Sequence, residues 1–514
     1  MSIKELAENA NHKDFDSKRH QELLDKANEA VANTDVDPRW HPLVHVAPKA
    51  GWMNDPNGVC YFNGRYHMFF QHYPYGSKWG PMHWGHATST DLVTWQRESI
   101  ALAPSEKYDE DGVWSGTSLV LSEGELAVFY TGNRWVNGED DTDGKVQTQC
   151  LAVSTDGQNF TKLGPILEAP EGVEDIRDPK VWREADRWWM IIGVSAPVED
   201  GPNRGQVWLY SSDDLIDWEF ERVLYEDPDP LCYMVECPDF FEMDGKRVLV
   251  YCPMTTAPRR GYGQRNGHNN GYAAGDWEPG GEFVVKHEFS QFDWGHHYYA
   301  PQSLRVPDGR QIIFGWMGGF ELPLASQKDD AWSGHLATPR VLELDDDYVL
   351  RATPIAEFAE LRDVDNAVVL DEFTLGVDET RELLEDAGPV DIELEVDLTK
   401  TSSEQVSLLV NRISDTEYAE VAYDSLSNRV VLDRGKVGST DRGYRAAPYT
   451  GGDVLKLRVI IDRGSVEVII GDGEHAVSSL VFPREGKRGI ALASTGGKIA
   501  VNKLAIYPLR SIWA

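Results

Sequence analysis

The chain has 514 residues, with 49 Lys and Arg against 85 Asp and Glu, which gives a formal net charge of −36. Hydrophobic residues make up 41% of the sequence, enough to build folded cores and to exclude a disordered chain. Because so acidic a surface repels phosphates, nucleic acids and anionic membranes are excluded as partners.

The same charge predicts adaptation to concentrated salt. Fewer than half of the 49 basic residues are Lys, a bias expected of a surface that works in molar salt, where a Debye length of roughly 3 Å screens self-repulsion. An ordinary acidic protein is the alternative. No apolar run approaches a membrane span, and the five cysteines form no CxxC pair. We therefore expect a cytoplasmic protein without a disulfide framework or a zinc site; a homo-oligomer is compatible with the sequence.

Residues 1–41 are polar and helix-prone, which predicts a helical N-terminal extension without an export signal. From residue 42 to 352, one pattern recurs at intervals of roughly 60 residues. Each copy is a polar turn followed by a β-branched and aromatic run, typical of a strand after a hairpin. The five turns are Gly64-Arg65, Gly124-Glu125, Asp186-Arg187, Gly245-Lys246 and Gly309-Arg310. A second marker, a Ser/Asp turn before an aromatic residue, begins at Ser89, Ser154 and Ser212.

Repeats of this length with several short strands each predict the blades of a five-bladed β-propeller. A generic all-β sandwich with accidental spacing is the alternative. Residues 353–364 predict a helical linker, and residues 365–514 alternate polar and apolar positions as the strands of a β-sandwich do. The predicted fold class is therefore all-β, a five-bladed β-propeller followed by a C-terminal β-sandwich.

Three acids occupy the same phase of the repeat. Asp55, Asp178 and Glu236 each lie eight or nine residues before one of the predicted turns. Equivalent positions in successive blades surround one axis, so the three carboxylates are predicted to converge at one end of the central channel. A proline follows Asp55 and Asp178 directly, which predicts extended backbone at both acids.

Converging carboxylates suit glycoside hydrolysis, in which one carboxylate attacks the anomeric carbon and another gives a proton to the leaving oxygen. Mutual repulsion raises one pKa, and the group concerned is then expected to be the general acid. As single motifs, RDP and EC are weak, because each is commonly a structural turn. Their shared phase is what favours a joint catalytic role.

Three motifs together resemble glycoside hydrolase family 32, the group of invertases, levanases and inulinases. They are GWMNDPNG at Gly51–Gly58, RDP at Arg177–Pro179 and ECP at Glu236–Pro238. The run HMFFQHYPYGSKWGPMHWGHATSTDLVTW is similar to bacterial sucrose and sucrose-6-phosphate hydrolases, and DRGSVEVIIGDGE to the family's C-terminal sandwich. Two departures are small: WSGT stands where many members have FSGS, and QHYP where QYNP or QHNP is usual.

The resemblance implies a retaining β-fructofuranosidase that needs no metal and no cofactor. Asp55 would be the nucleophile, Glu236 the acid/base, and Asp178 the acceptor of hydrogen bonds from fructose hydroxyls, with Arg177 tuning the carboxylates. A furanose site also needs polar groups and an aromatic platform. The substrate-binding residues selected on both grounds are Trp52, Asn54, Gln71, Trp79, Trp114, Ser115, Arg177 and Trp316.

Other polar clusters receive a structural interpretation. His83, His86, His296 and His297 match no metal-ligand spacing. Cys237 is expected to be a small buried thiol. The Gly- and Asn-rich stretch 259–271 is expected to be a loop that borders the leaving-group side.

The leading prediction is an enzyme that hydrolyses sucrose or a fructo-oligosaccharide. The enzyme alternatives are a fructosyltransferase or exo-fructanase with the same three acids, and a five-bladed inverting arabinanase or xylosidase. A non-catalytic fructan-binding protein is the alternative from another class. A phosphorylated substrate would need cations at the rim, for which the sequence offers Lys78, Arg134, Arg259 and Arg260.

Overall fold

The computed structural model describes residues 1–10, 15–199, 201–255, 261–438 and 442–513. Five small sheets are followed by two larger ones, so the predicted all-β fold, a five-bladed β-propeller and a β-sandwich, is confirmed. Helices and 3-10 turns are few among the described residues. The α-helices are α1 (Ile3–Asn9), α2 (Ser17–Asn33) and α3 (Ser326–Asp329), and the 3-10 turns span Asp141–Asp143, Ala356–Leu361 and Val364–Asn366.

The propeller is built from antiparallel sheets that follow one another along the chain. Its strands are β1 (Gly51–Phe62), β2 (Arg65–Tyr73), β3 (His83–Ser89), β4 (Trp95–Arg97), β5 (Gly112–Ser122), β6 (Glu125–Trp135), β7 (Lys145–Ser154), β8 (Thr161–Glu168), β9 (Ile176–Glu184), β10 (Arg187–Ala196), β11 (Arg204–Ser212), β12 (Glu219–Glu226), β13 (Cys232–Met243), β14 (Lys246–Thr255), β15 (Gly271–Asp276), β16 (Val284–Gln291), β17 (Tyr299–Arg305), β18 (Gln311–Met317), β19 (Trp332–Ser333), β20 (His335–Leu336), β21 (Arg340–Leu344) and β22 (Leu350–Pro354). Blades one to four begin at β1, β5, β9 and β13, and the fifth has the order β17-β18-β21-β22, with β20 beside β18.

The five predicted turns each join the first and second strands of a blade. In the first blade, Asn63 and Gly64 have φ values of 48° and 80°, so both central residues are left-handed, as a type I′ hairpin requires. The Ser/Asp turns predicted from the sequence connect the third and fourth strands of their blades. In the first blade, Ser89 Oγ accepts the backbone N–H of Leu92 at 2.9 Å, and Trp95 Nε1 donates to the Leu92 carbonyl at 3.1 Å.

The ring is closed by a short strand from the end of the propeller. β19 pairs in parallel with β1, with Trp332 opposite Gly51 and Ser333 opposite Trp52. The strand that carries Asp55 is therefore fixed from both sides, by its hairpin partner β2 and by β19.

The sandwich follows with two antiparallel sheets around one aliphatic core. Its strands are β23 (Val368–Leu370), β24 (Phe373–Leu375), β25 (Thr380–Leu384), β26 (Val390–Asp397), β27 (Gln405–Ser414), β28 (Glu417–Asp424), β29 (Arg429–Asp433), β30 (Tyr444–Pro448), β31 (Val454–Ile461), β32 (Ser465–Ile470), β33 (His475–Leu480), β34 (Gly489–Thr495) and β35 (Ile499–Pro508). One sheet has the order β23-β35-β26-β31-β32-β33, and β24 also pairs with β35. The other sheet has the order β25-β34-β27-β28-β29-β30.

A buried ion network joins the propeller to the sandwich. Arg340 is fully buried and donates to Asp293 at 3.0 Å and to Glu467 at 2.8 Å. Burial alone would lower the pKa of His45, but its hydrogen bonds to Asp462 and Glu467 raise that pKa to about 9. Removing one partner would leave a buried charge uncompensated, so the network holds the two units in one arrangement.

The N-terminal helices pack on the propeller. Leu6 of α1 is buried against the second and third blades, and α2 buries Leu24 and Ala27 against Ile100 and Ala103. None of the described helices is long and apolar enough to cross a membrane. All five cysteines are buried and free of disulfides.

Candidate active site

Every blade carries a β-bulge at the same place in its first strand. In β1, Met53 and Pro56 pair with His72 and Phe70, so three steps on one strand oppose two on the other. The same one-residue excess occurs in β5, β9, β13 and β17. Bulges re-aim side chains and are common beside active sites. Here they form a ring of redirected side chains at one end of the channel.

The three predicted acids lie at these bulges. Asp55 falls within the bulge of β1, Asp178 within that of β9, and Glu236 at the edge of that of β13. Gly193 lies opposite Arg177 in the neighbouring strand, where a Cβ would be 2.1 Å from the Val235 carbonyl oxygen. The close approach of the third and fourth blades therefore requires glycine there.

One backbone prediction is wrong. Asp178 has a φ of 68°, in the left-handed region, instead of the extended backbone expected before a proline. Cys237 and Ala300, which also precede prolines at their bulges, have φ values of 48° and 49°. The bulge geometry overrides the local preference, and this strain is stored beside the carboxylates.

Asp55 is almost completely buried and is held by two donors. Ser115 Oγ donates to Oδ2 at 2.6 Å and Asn54 Nδ2 to Oδ1 at 3.0 Å, while Trp52 Nε1 fixes the Asn54 amide at 2.7 Å. Burial raises the pKa of Asp55, and the negative charge of Glu236 adds to the effect. The Ser115 and Asn54 hydrogen bonds act in the opposite direction and stabilise the ionised form.

Asp55 and Asp178 are brought together across Cys237. The backbone N–H of Cys237 donates to Asp178 Oδ2 at 2.9 Å, and its Sγ lies 3.4 Å from Asp55 Oδ2 and 3.5 Å from Asp178 Oδ2. Burial and the two carboxylates raise the pKa of the Cys237 thiol well above its usual value. It is the buried thiol that the sequence predicts.

Glu236 is paired with a cation. Arg177 Nε donates to Oε1 at 2.9 Å and the Tyr299 hydroxyl donates to Oε2. Burial acts to raise the pKa of Glu236, but the Arg177 and His268 charges and the hydrogen bonds from Tyr299 and Arg177 together outweigh it, and the net shift is downward. Mutual repulsion predicts a raised pKa for the acid/base candidate. For Glu236 in the sugar-free site this prediction is wrong, because it leaves out the positive charge of the Arg177 guanidinium.

Asp178 is the carboxyl that holds a proton near neutrality. Burial raises its pKa to about 7, with a further contribution from Glu236 that Arg177 partly offsets. Its backbone N–H donates to Thr131 Oγ1 at 3.0 Å. In the free site, protonation is therefore favoured on Asp178 over Glu236, whose pKa is lowered.

We expect Asp178→Asn to stabilise the fold much more at high pH than at low pH. A carboxyl with a raised pKa contributes stability that is present at low pH and is lost as pH rises through about 7. At pH 5 the folded forms are nearly equivalent, but Asp178 is already ionised in the unfolded wild type, where its ordinary pKa is 3.8, so the variant should melt only slightly higher. At pH 8 the variant avoids a buried negative charge and should melt a few degrees higher.

The measurement is thermal unfolding of wild type and variant at both pH values. Glu242→Gln, at the far end of the same strand as Glu236, is the control and should show no such pH dependence. An equal difference between wild type and Asp178→Asn at pH 5 and pH 8 would contradict a raised pKa.

The three acids lie at the floor of a cavity of about 430 Å³. Nine of the residues selected from the sequence line it: Asn54, Asp55, Gln71, Trp79, Trp114, Ser115, Arg177, Asp178 and Glu236. The structure places Trp52 and Trp316 behind the wall. They are 3% and 1% exposed, contact each other at 5.8 Å between ring centroids, and support Phe320, which does line the cavity.

Ten further lining residues were not selected from the sequence: Met82, Trp135, Glu139, Asp140, Asp141, Lys145, Met254, His268, Tyr299 and Phe320. Tyr299 could have been found, because it occupies the edge of the fifth bulge, in phase with Glu236. His268 lies in the predicted loop beside the Glu236 blade. The other residues lie mainly in connections that carry no repeat signal.

The lysine of the cavity wall is Lys145, and neither Lys78 nor Arg134 lines it. Arg259 and Arg260 lie outside the described residues. Among the described residues there is no group of three or more His, Cys, Asp and Glu side chains that could hold a metal ion. All four of the histidines named in the sequence analysis make hydrogen bonds: His83 with Pro81, His86 with His67, His296 with Ser479, and His297 with Leu480.

A five-bladed propeller whose channel ends in three converging carboxylates defines a glycoside hydrolase. The family model for the glycosyl hydrolases family 32 N-terminal domain matches residues 45–354, and that for the family 32 C-terminal domain matches residues 360–508. The chain belongs to glycosyl hydrolase family 32, as the motifs predict.

Relatives cover nearly the whole chain. It is 40% identical to a sucrose-6-phosphate hydrolase of Escherichia coli over 95% of this chain and 98% of that protein. It is 39% identical to a raffinose invertase of the same species over 93% and 96%. Among solved structures, the family 32 β-fructofuranosidase of Bombyx mori superimposes with a TM-score of 0.81 at 30% identity, covering 97% of this chain and 100% of the other.

Proposed function

We propose that this chain is a retaining β-fructofuranosidase that hydrolyses sucrose to glucose and fructose. The observation that carries the proposal is the convergence of Asp55, Asp178 and Glu236 at the bulges of the first, third and fourth blades. The similar proteins agree with it: relatives are named for hydrolysis of sucrose 6-phosphate and raffinose, and a variant of the Bombyx mori enzyme was solved in complex with sucrose.

The surroundings of each residue indicate its step in the reaction. The hydrogen bonds from Ser115 and Asn54 favour the ionised form of Asp55, and in this form it attacks the anomeric carbon of the fructosyl unit while the glycosidic C–O bond breaks. Glu236 gives its proton to the leaving oxygen. It then removes a proton from the water that releases fructose from Asp55, which restores both carboxyls.

The proton must move before the bond breaks. Fructose hydroxyls that donate to Asp178 favour its ionised form and so lower its pKa. The sugar also covers Glu236 and removes solvent from it, which raises the pKa of that carboxyl. Substrate binding therefore favours protonation of Glu236 over Asp178, and Glu236 is where the leaving group needs the proton.

The test is incubation with sucrose in concentrated KCl, with glucose and fructose measured enzymatically. Proton NMR of the first product should show β-fructofuranose, because the configuration is retained. Inactive Asp55→Asn is the control for contaminating activity. No release from sucrose, inulin or levan would favour a non-catalytic fructan-binding protein, whereas products longer than the substrate would favour a fructosyltransferase.

We further propose that the protein functions in the cytoplasm of a salt-adapted cell, on the basis of its net charge of −36 and its five unpaired cysteines. The melting temperature and the activity should both rise between 0.05 and 2 M KCl, the former by about 10 °C or more, because salt screens the self-repulsion of the surface. Circular dichroism melts and sucrose assays at a series of KCl concentrations measure both. Full stability in dilute buffer would contradict salt adaptation.

A further inference from the structure

The cavity has two walls at its mouth, and one of them is acidic. The connection between β6 and β7 contributes Glu139, Asp140 and Asp141, all exposed and all lining the cavity. We call these three residues the acidic rim. They lie outside the bulge ring, so they border the mouth of the cavity, which is open to a leaving group when fructose occupies the floor.

Beside the acidic rim is a group of three tryptophans. The Trp79 and Trp114 rings are 5.9 Å apart between centroids, Trp114 and Trp135 are 5.9 Å apart, and Trp79 and Trp135 are 6.4 Å apart. Trp79 is 39% exposed and Trp135 is partly exposed, so both offer ring surface to the cavity. Aromatic faces pack against the C–H faces of sugar rings, while carboxylates accept hydrogen bonds from their hydroxyls.

The rim carboxylates differ in their availability. Asp140 is used within its own loop, where it accepts from Asn137 Nδ2 at 2.9 Å and from the Thr142 N–H at 3.1 Å. In the part of the chain that the structure describes, the carboxylates of Glu139 and Asp141 have no hydrogen-bond or ion-pair partner. Both therefore have acceptor oxygens for a ligand.

The cations of the cavity wall are already paired. Lys145 Nζ lies 2.8 Å from Asp175 Oδ1, and Arg177 is bonded to both Asp175 and Glu236. A phosphate group brings acceptors only and carries about two negative charges, so it needs donors and cations. Against this wall it would meet the acidic rim in addition to the three acids of the floor.

We propose that the acidic rim, with Trp79 and Trp135, is the leaving-group subsite, and that it takes a neutral pyranose and rejects a phosphorylated one. Glu139 and Asp141 accept hydrogen bonds from pyranose hydroxyls while the tryptophans cover an apolar face of the ring. This inference rests on the proposed function and selects sucrose over sucrose 6-phosphate. Concentrated salt weakens the through-space repulsion between a phosphate and the acidic rim, but it does not supply the donors and cations that a phosphate needs.

The opposite wall supplies the competing arrangement. His268 packs its ring against Tyr299 and Phe320 at 5.4 and 5.3 Å between centroids, on the Glu236 side of the cavity. A leaving group docked there would meet an imidazole, which can donate to a phosphate. The two walls thus predict opposite responses to phosphorylation of the glucose unit.

The experiment compares kcat/KM for sucrose and for sucrose 6-phosphate at one fixed KCl concentration. We expect wild type to prefer sucrose by about 100-fold or more. Glu139→Gln combined with Asp141→Asn should lower kcat/KM for sucrose about tenfold and not lower it for sucrose 6-phosphate. An activated aryl fructoside, whose leaving group has no hydroxyls to bind, should react equally well with both proteins.

The matched control is Asp143→Asn with Glu174→Gln. It removes the same two charges near the loop from residues that do not line the cavity, and it should leave the ratio of the two substrates unchanged. Preference of wild type for sucrose 6-phosphate would overturn the inference while leaving β-fructosidase activity intact. The inference would also be overturned if the rim variant and its control had the same ratio of kcat/KM for sucrose to kcat/KM for sucrose 6-phosphate. Hydrolysis of no fructoside at all would overturn the proposed function and the inference with it.

Discussion

Asp55→Asn should abolish turnover of sucrose, with kcat lower by about 10⁴-fold or more. The substitution keeps the shape of the side chain and an acceptor for Ser115, but it removes the charge that attacks the anomeric carbon. Binding of fructosides should therefore remain nearly unchanged. Residual activity is measured with sucrose, and binding with a fructoside ligand by calorimetry.

Covalent trapping distinguishes the nucleophile from its neighbour. A mechanism-based fructosyl reagent should label the wild-type peptide that contains Asp55, and the label should be absent from Asp55→Asn. Asp178→Asn is the matched control: it should lose much activity, because its hydrogen bonds strengthen in the transition state, yet still accept the label. A wild-type label on Asp178 or Glu236 would overturn the assignment.

Glu236→Gln should lower kcat on sucrose by about 10³-fold and spare substrates whose leaving group departs without protonation. The amide can still accept from Arg177 or Tyr299, so the pocket should keep its shape. The measurement is kcat on sucrose and on an activated aryl fructoside.

Glu242→Gln provides the comparison for this variant. It lies on the same strand, away from the cavity, and should leave both rates unchanged. Equal losses on sucrose and on the aryl fructoside in Glu236→Gln would remove Glu236 from the role of proton donor.

The fold was predictable because its signals are local and periodic. Every blade has a left-handed residue in its first hairpin, three blades have two, as in Asn63-Gly64, and most repeat a Ser/Asp turn with an aromatic plug. The three acids were predictable for the same reason, since they share one phase of the first strand. Residues at the same place in successive repeats lie around one axis once the propeller has closed.

Other features of the site depend on contacts that no spacing encodes. The bulges decide which side chains face the cavity, so Trp52 and Trp316 lie behind its wall although they stand in matching motifs. The pKa of Glu236 depends on its ion pair with Arg177, a residue from another blade. The acidic rim comes from a connection whose length and composition do not repeat.

Closure of the ring by β19 also sets the order of events during synthesis. Glu236, the last of the three acids, leaves the ribosome well before Trp332 and Ser333, which complete the sheet of β1. Since chains emerge at about 5–20 residues per second, several seconds separate the last catalytic side chain from the segment that locks the first. A nascent chain therefore carries all three acids before β1 gains its second partner, and a chain that ends before Trp332 leaves that edge of β1 unpaired and open to association with another strand.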